Sequence, residues 1–279
     1  MRRIAGWALA ACFTTLASAE EPVAAPNLTA AQIVDKNAEA RGGLEAWRKI
    51  QTMAWAGHVE SPGAPGRNLP FLLEQKRPHS TRFEILAANQ KSVRIFDGTN
   101  GWKMRPGSSG KPELQAYTAE ELSFAREAPV IDGPLMDAAA RGVAITLGGV
   151  EEIEGRNAYR LNLRLPSGAN QRVWVDAESF LEVRYDRENR NASGRPGVVS
   201  VYYRNYQSFQ GLQIPLVIET AAPMGKATDK LVIDKIALNP QLDERMFAKP
   251  NVPVTRSKSA IVDTRVPPPS ARQPVRPAL

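Results

Sequence analysis

Few side chains in this sequence could do bond-making chemistry, and their spacing argues against it. There are two histidines, His58 and His79. His58 falls on the polar side of an alternating stretch and His79 follows Pro78 in a turn, so both read as surface residues. Two histidines without cysteine make a poor metal site. Ser123 and Ser179 lack the Gly-x-Ser-x-Gly strand–turn–helix context that exposes a nucleophile. The acidic run Glu151-Glu152-x-Glu154 ends a strand pattern and reads as a solvated edge. Cys12 is the sole cysteine, which removes thiol nucleophiles and a disulfide frame from the remainder of the chain. The expectation is a protein that is not an enzyme, with no catalytic residues, no metal and no cofactor; a hydrolase is the least favoured reading.

What the sequence has in quantity is large apolar side chains at strand spacing. The expected inward face carries Met53, Trp55, Phe71, Leu73, Phe83, Ile85, Ile95, Trp102, Met104, Leu161, Leu163, Val173 and Val175, with Leu122 and Phe124 facing them from a helix. Any one of these could be ordinary core. As a set on a wide curved sheet they are hard to pack solidly and tend to leave a cavity for an apolar ligand, and methionines among them suit an adaptable one.

The elements that would position them follow from periodicity. Thr29 is a candidate N-cap, and Ile33, Val34 and Ala38, then Leu44 and Trp47 after Gly42-Gly43, mark the apolar side of an N-terminal helix. From Thr52 the period changes to two, with a hairpin signal at Asp97-Gly98. Alternation stops between Tyr117 and Gly142. There Thr118-Ala119-Glu120-Glu121 resembles a capping box, Pro129 ends the helix, and Gly133 to Ala140 suit a second one. Alternation resumes from Ala144 to Leu238, and a helical turn at Asp243–Phe247 closes the pattern. About eleven strands hairpinned in order, broken by helical insertions, predict a mostly β (α+β) fold. Its form is an unclosed antiparallel β-barrel with an N-terminal helix and a helical lid or plug.

The ends differ from the body. Residues 1–19 have a basic start, a short apolar run and Ala17-Ser18-Ala19, the pattern of a signal peptide cleaved before Glu20. Leu9-Ala10-Ala11-Cys12 offers a less favoured lipidation site. Residues 20–28 read as a linker, 29–249 as the half-barrel with its apolar ligand cavity, and 250–279 as a disordered Pro/Arg-rich tail. Arg256, Lys258, Arg265, Arg272 and Arg276 in that tail, with Arg2 and Arg3, account for most of the net charge of +7. The body is near neutral and has no nucleic-acid footprint.

Several motifs in order carry a family likeness. Lys76-Arg77-Pro78, the strand containing Arg82-Phe83-Glu84, and Phe96-Asp97-Gly98-Thr99-Asn100-Gly101-Trp102 come first. Val173-Trp174-Val175-Asp176-Ala177-Glu178 follows with Leu181 and Arg184. Tyr206 to Pro215 and Phe247-Ala248-Lys249-Pro250 complete the set. Over residues 30–250 this resembles the LolA-like lipoprotein-sorting proteins and their lipid-sensing relatives. The resemblance implies a periplasmic chaperone-like carrier in outer-membrane biogenesis. It would take lipid or lipoprotein acyl chains from a membrane-protein donor or pass them to an acceptor. A lipid-sensing regulator or exporter accessory acting through protein contacts is the alternative. It also implies a lid-anchoring arginine just before the strand-starting proline, here Arg77. The junction from Gly42 to Lys49 and the basic tail depart from the family pattern.

Overall fold

The computed structural model describes residues 28–62, 66, 68–87, 90–107, 110–190, 196–221 and 229–251. The expected leader, most of the linker and all but the first residues of the tail lie outside these. Helix α1 spans Ala30–Ala40 and α2 spans Leu44–Arg48. Strands β1 to β6 are Thr52–Glu60, Asn68–Lys76, Ser80–Ala87, Gln90–Phe96, Gly101–Pro106 and Pro112–Ala116. Helix α3, Ala119–Glu127, precedes β7 to β13. These are Ala144–Ile153, Arg156–Arg164, Asn170–Asp176, Glu182–Arg190, Pro196–Phe209, Leu212–Ala221 and Asp229–Leu238. No described helix is long and apolar enough to cross a membrane.

All thirteen strands form one antiparallel sheet, in the order β6-β5-β4-β3-β2-β1-β13-β12-β11-β10-β9-β8-β7. Two meanders, β1–β6 and β7–β13, therefore meet along a single seam. On that seam Met53 lies opposite Leu238 and Val59 opposite Leu231, with a bulge at Ala56/Gly57. The edge strands β6 and β7 do not pair with each other, so the sheet is unclosed, as expected. The strand count exceeds the expected eleven partly because β6 contains one large apolar side chain, Leu114, and so shows no alternation.

Both helix starts follow their local chemistry. Thr29 and Thr118 each accept the N3 backbone N–H, and Gln32 and Glu121 return a bond to the cap backbone, which satisfies donors that would otherwise face no partner. The expected helix from Gly133 to Ala140 is absent. Residues 128–143 instead make a run of turns, with Gly133 at φ +88° and Asp137 at φ +50°. Val130, Ile131, Leu135, Met136 and Ala138 of this run pack against the sheet.

The sheet's inner face holds three apolar clusters. One, under α1 and Leu135, contains Ile33, Tyr159, Leu161, Leu163, Val173 and Val175. A second, under α2 and residues 130–136, contains Trp47, Ile50, Met53, Leu212 and Ile214. The third contains Val59, Phe71 and Ile233. A fourth cluster lies on the outer face, where Val93 and Ile95 meet Phe247 of the 3-10 turn Glu244–Phe247.

Gly42 joins α1 to α2 at φ +106°, and a Cβ there would sit 2.3 Å from the Gly211 carbonyl oxygen. Glycine is needed on both counts. Gly42→Ala is expected to lower unfolding free energy by roughly 2–4 kcal/mol, combining left-handed strain with overpacking, as read by urea denaturation. A loss below 0.5 kcal/mol would contradict the close approach.

Candidate functional site

Among the described residues no helix or turn contributes to the third apolar cluster. Every member comes from strands β1, β2, β3, β12 and β13: Trp55, Leu69, Leu73, Phe83, Ile85, Leu216, Ile218, Leu231 and Ile236 surround Val59, Phe71 and Ile233. The register explains the grouping. Leu73 lies opposite Trp55 on one side and Phe83 on the other, and Phe71 lies opposite Gly57 and Ile85. Strand alternation then points them all to the inner face. The surrounding members are only half-buried, so an apolar stripe continues beyond the edge of the helical covers.

Of the residues expected to line a ligand site, the structure brings Trp55, Phe71, Leu73, Phe83 and Ile85 together in this stripe. Met53 is fully buried beside it, beneath α2 and residues 130–136. Leu161, Leu163, Val173 and Val175 are sealed under α1 as solid core. Ile95, Trp102 and Met104 require a correction, because they point to the outer face. Ile95 lies opposite Arg82 and Trp102, and Val93 opposite Glu84 and Met104. Phe83 thus faces inward next to Arg94, one residue out of phase with Ile95. Their partner is the 3-10 turn, not a lumen. Leu122 is half-buried on α3, whereas Phe124 is 38% exposed. Leu69 and the β12–β13 residues join the stripe in addition to those expected. Their alternation was visible, but their place beside β1 was not.

Polar anchors hold the covers. The Arg77 guanidinium grips the Asp132 carboxylate with both nitrogens, Nη1 at 2.7 Å from Oδ2. It also donates to the carbonyls of Ile50 at 2.7 Å and Trp47 at 3.1 Å. Arg77 thus ties β2 to both α2 and the turn segment. Arg41 Nη1 donates to the Asp132 carbonyl at 2.6 Å and to Glu182 Oε1 at 3.1 Å, and its plane stacks on Trp47, 4.4 Å from the ring centroid. Burial opposes the Arg41 charge, but Glu182 and neighbouring groups more than offset it, so its pKa lies above the ordinary value. Arg48 adds a pair with Asp137 at 2.6 Å, whose carboxyl pKa is lowered by that contact. Arg41, Asp132 and Glu182 carry no sequence motif, and only contact across the fold reveals them.

Helix α3 is held differently. None of its residues is buried. Glu121 accepts from Lys103 Nζ at 2.8 and 2.9 Å and from Arg94 at 3.1 Å. Glu127 accepts from the Ser167 backbone and hydroxyl, and Arg126 donates to the Thr99 carbonyl. Through these contacts α3 bridges the β4–β5 wall to the β8–β9 turn. A separate cleft of about 450 Å³ is lined by residues of β7–β11, among them Asn162, Leu163, Arg172, Asp186 and Arg187. Neither histidine is openly exposed: His58 Nδ1 lies 3.0 Å from Asp234, and His79 Nδ1 is buried without a partner.

No family model and no curated protein matches the sequence. Solved structures do match. An outer-membrane lipoprotein-sorting protein domain from Vibrio parahaemolyticus aligns over 78% of this chain and 95% of its own, at 11% identity and TM-score 0.52. A LolA superfamily protein from Nitrosomonas europaea aligns over 80% and 98%, at 17% identity and TM-score 0.50. The fold is LolA-like. A DUF1329 family protein from Desulfovibrio piger shares it over 78% and 97%, at 13% identity and TM-score 0.51. At these identities the likeness is one of architecture, so any role for the LolA-like sheet rests on this chain's own residues.

Two outcomes follow. Arg77→Leu leaves Asp132 beneath the cover without its ion-pair partner. This should cost about 2–4 kcal/mol, less than a fully buried pair because Arg77 keeps some water contact. Arg77→Leu with Asp132→Leu should recover most of that loss in a double-mutant cycle. Additive losses would mean the pair does not hold the cover.

For α3, burial works against the Glu121 charge, but Lys103, the Thr118 backbone and Arg94 outweigh it and lower the carboxyl pKa. Its stabilisation is therefore complete above the ordinary glutamate range and lost as pH falls through the lowered pKa. Glu121→Gln should reproduce the acid state at neutral pH, raising amide exchange across residues 119–127 by about tenfold, the worth of a charged hydrogen bond. Exchange in β8 and β9 should not change.

Proposed function

We propose that this protein is a carrier that binds acyl chains of lipid or lipoprotein along the inner-face stripe and passes them between membrane partners outside the cytoplasm. The single observation that carries this reading is the stripe. Trp55, Leu69, Leu73, Phe83, Ile85, Leu216 and Ile218 form a contiguous apolar strip on the inner face, to which no helix among the described residues contributes. Water-facing apolar strips of this kind mark binding surfaces. A sixteen-carbon chain laid there would gain on the order of 12 kcal/mol gross, at ~0.8 kcal/mol per buried CH₂.

Such tight holding requires a way to release. Helix α3 supplies one, because it buries none of its residues and is fixed to the β4–β5 wall through ion pairs. An ion-paired cover can be exchanged for a ligand or partner contact without dismantling the core. The signal-peptide pattern ending at Ala19 and the LolA-like fold support a periplasmic setting. Arg77 would act as the lid anchor, because its fork holds the turn segment that borders the stripe. The arrangement suits binding and transfer rather than catalysis.

Leu73 sits mid-stripe between Trp55 and Phe83. Leu73→Asp is expected to weaken binding of the neutral probe N-phenyl-1-naphthylamine at least tenfold, a charge in an apolar contact costing well over 1.4 kcal/mol. The half-buried position should keep the domain folded by circular dichroism. Parent-like binding by the folded variant would remove the stripe as the site.

A further inference from the structure

The positive charges beneath α3 outnumber the negative ones. Arg94 on β4 and Lys103 on β5 face each other across the ladder and share one carboxylate, Glu121. Arg187 approaches the same helix from β10. Its guanidinium stacks 4.4 Å from the Phe124 ring centroid, and its electrostatic neighbours are Tyr185, Arg94 and Tyr203. Among the described residues no carboxylate pairs with it. Two of these cations share one acid, and the third, Arg187, lies under the same helix against Phe124. Burial, with Arg94 adding to it, pushes the Arg187 pKa down, as expected for a desolvated charge without a counter-ion.

This group borders the apolar stripe on both sides. Arg94 lies directly opposite Phe83, a member of the stripe. On the other wall, Tyr203 lies opposite Ile218, also of the stripe, and Arg187 is among its charged neighbours. An amphiphile with its chain along Phe83, Ile85 and Ile218 would place its polar end between Arg94 and Arg187.

We propose that Arg187, with Arg94, seats the anionic head group of an amphiphile, a carboxylate or phosphate monoester whose chain occupies the stripe. A half-buried, uncompensated guanidinium costs folding energy, and an anion would supply the missing partner in bidentate geometry. The same anion competes with Glu121 for Arg94. Binding therefore exchanges one ion pair for another and loosens the carboxylate, Glu121, that holds α3 to the β4–β5 wall. Cargo with a charged head would loosen its own lid, whereas a neutral chain would not.

The inference rests on the acyl-binding reading and is tested so that the two can fail separately. N-phenyl-1-naphthylamine bound to the full chain is displaced with palmitate, hexadecyl phosphate or hexadecanol at low ionic strength. Both anions should compete about tenfold or more better than the alcohol, the worth of a charge-assisted bond. Palmitate outcompeting the phosphate, or the reverse, identifies which head group the seat prefers. Arg187→Gln should bring the anions down to the hexadecanol level, leave hexadecanol unchanged and raise the melting temperature of the empty protein. Arg172→Gln on the outer face should preserve the anion preference. If anions and alcohol compete equally in the parent, or Arg187→Gln keeps the preference, the head-group seat is refuted while acyl binding stands. If none of the three competes, the acyl-binding reading falls and the seat with it.

Discussion

Asp132 is held from two directions at once: its carboxylate by Arg77, its carbonyl by Arg41. Everything covering the middle of the sheet depends on this double grip. Residues 128–143 have no regular secondary structure; turn bonds between Leu135 and Val143, and Arg141 on the Pro134 and Met136 carbonyls, shape the second half of the run but not its placement on the sheet. Their apolar side chains, Val130, Ile131, Leu135 and Met136, can seal the inner face only if the backbone is placed from outside. The arginines come from β2 and from the end of α1. Their other contacts reach the carbonyls of Trp47 and Ile50 and the Glu182 carboxylate. One turn residue thereby locks both helices and two distant strands into a common geometry.

A wide single sheet has two faces to cover, and this chain covers them with different materials. The outer face is closed at β4–β5 by a 3-10 turn. On β9 to β11, guanidinium and aromatic groups stack in alternation, Arg184 lying 4.5 Å from Trp174 and 5.5 Å from Tyr202. Such stacking shields apolar rings while keeping the surface polar. The inner face is packed solidly under α1 and α2, whereas between β3 and β12 none of the described helices joins it. The division between core and candidate site is thus one of cover and not of composition. Leu161 and Leu73 are equally apolar, and only the helix above Leu161 makes it core.

That distinction sets the limit of what could be read from the chain. Alternation and capping boxes announced the strands and helix starts because those signals are local. Thr29 and Thr118 need only the residue three positions on. The face of each strand was harder. Phe83 and Ile95 belong to neighbouring alternating strands, and only the ladder register, which puts Arg94 opposite Phe83, shows that they point apart. The turn segment misled for a similar reason: its composition suits a helix, but its conformation is imposed by arginines remote in sequence. Arg77 was legible through a resemblance. Arg187, Arg41 and Glu182 were not, since a charged residue within a strand looks the same whether it meets water or a buried partner.

The seam between β1 and β13 carries a consequence in time. Each meander pairs strands that are neighbours in the chain, so its ladders close short loops. The seam instead sets Met53 against Leu238, and long loops close slowly. The two half-sheets can form early, but the concave face they share exists only after the last strand docks against the first. A chain still emerging from a ribosome or a translocation channel would lack that last strand, and so could not assemble the shared face until residues 229–238 had emerged.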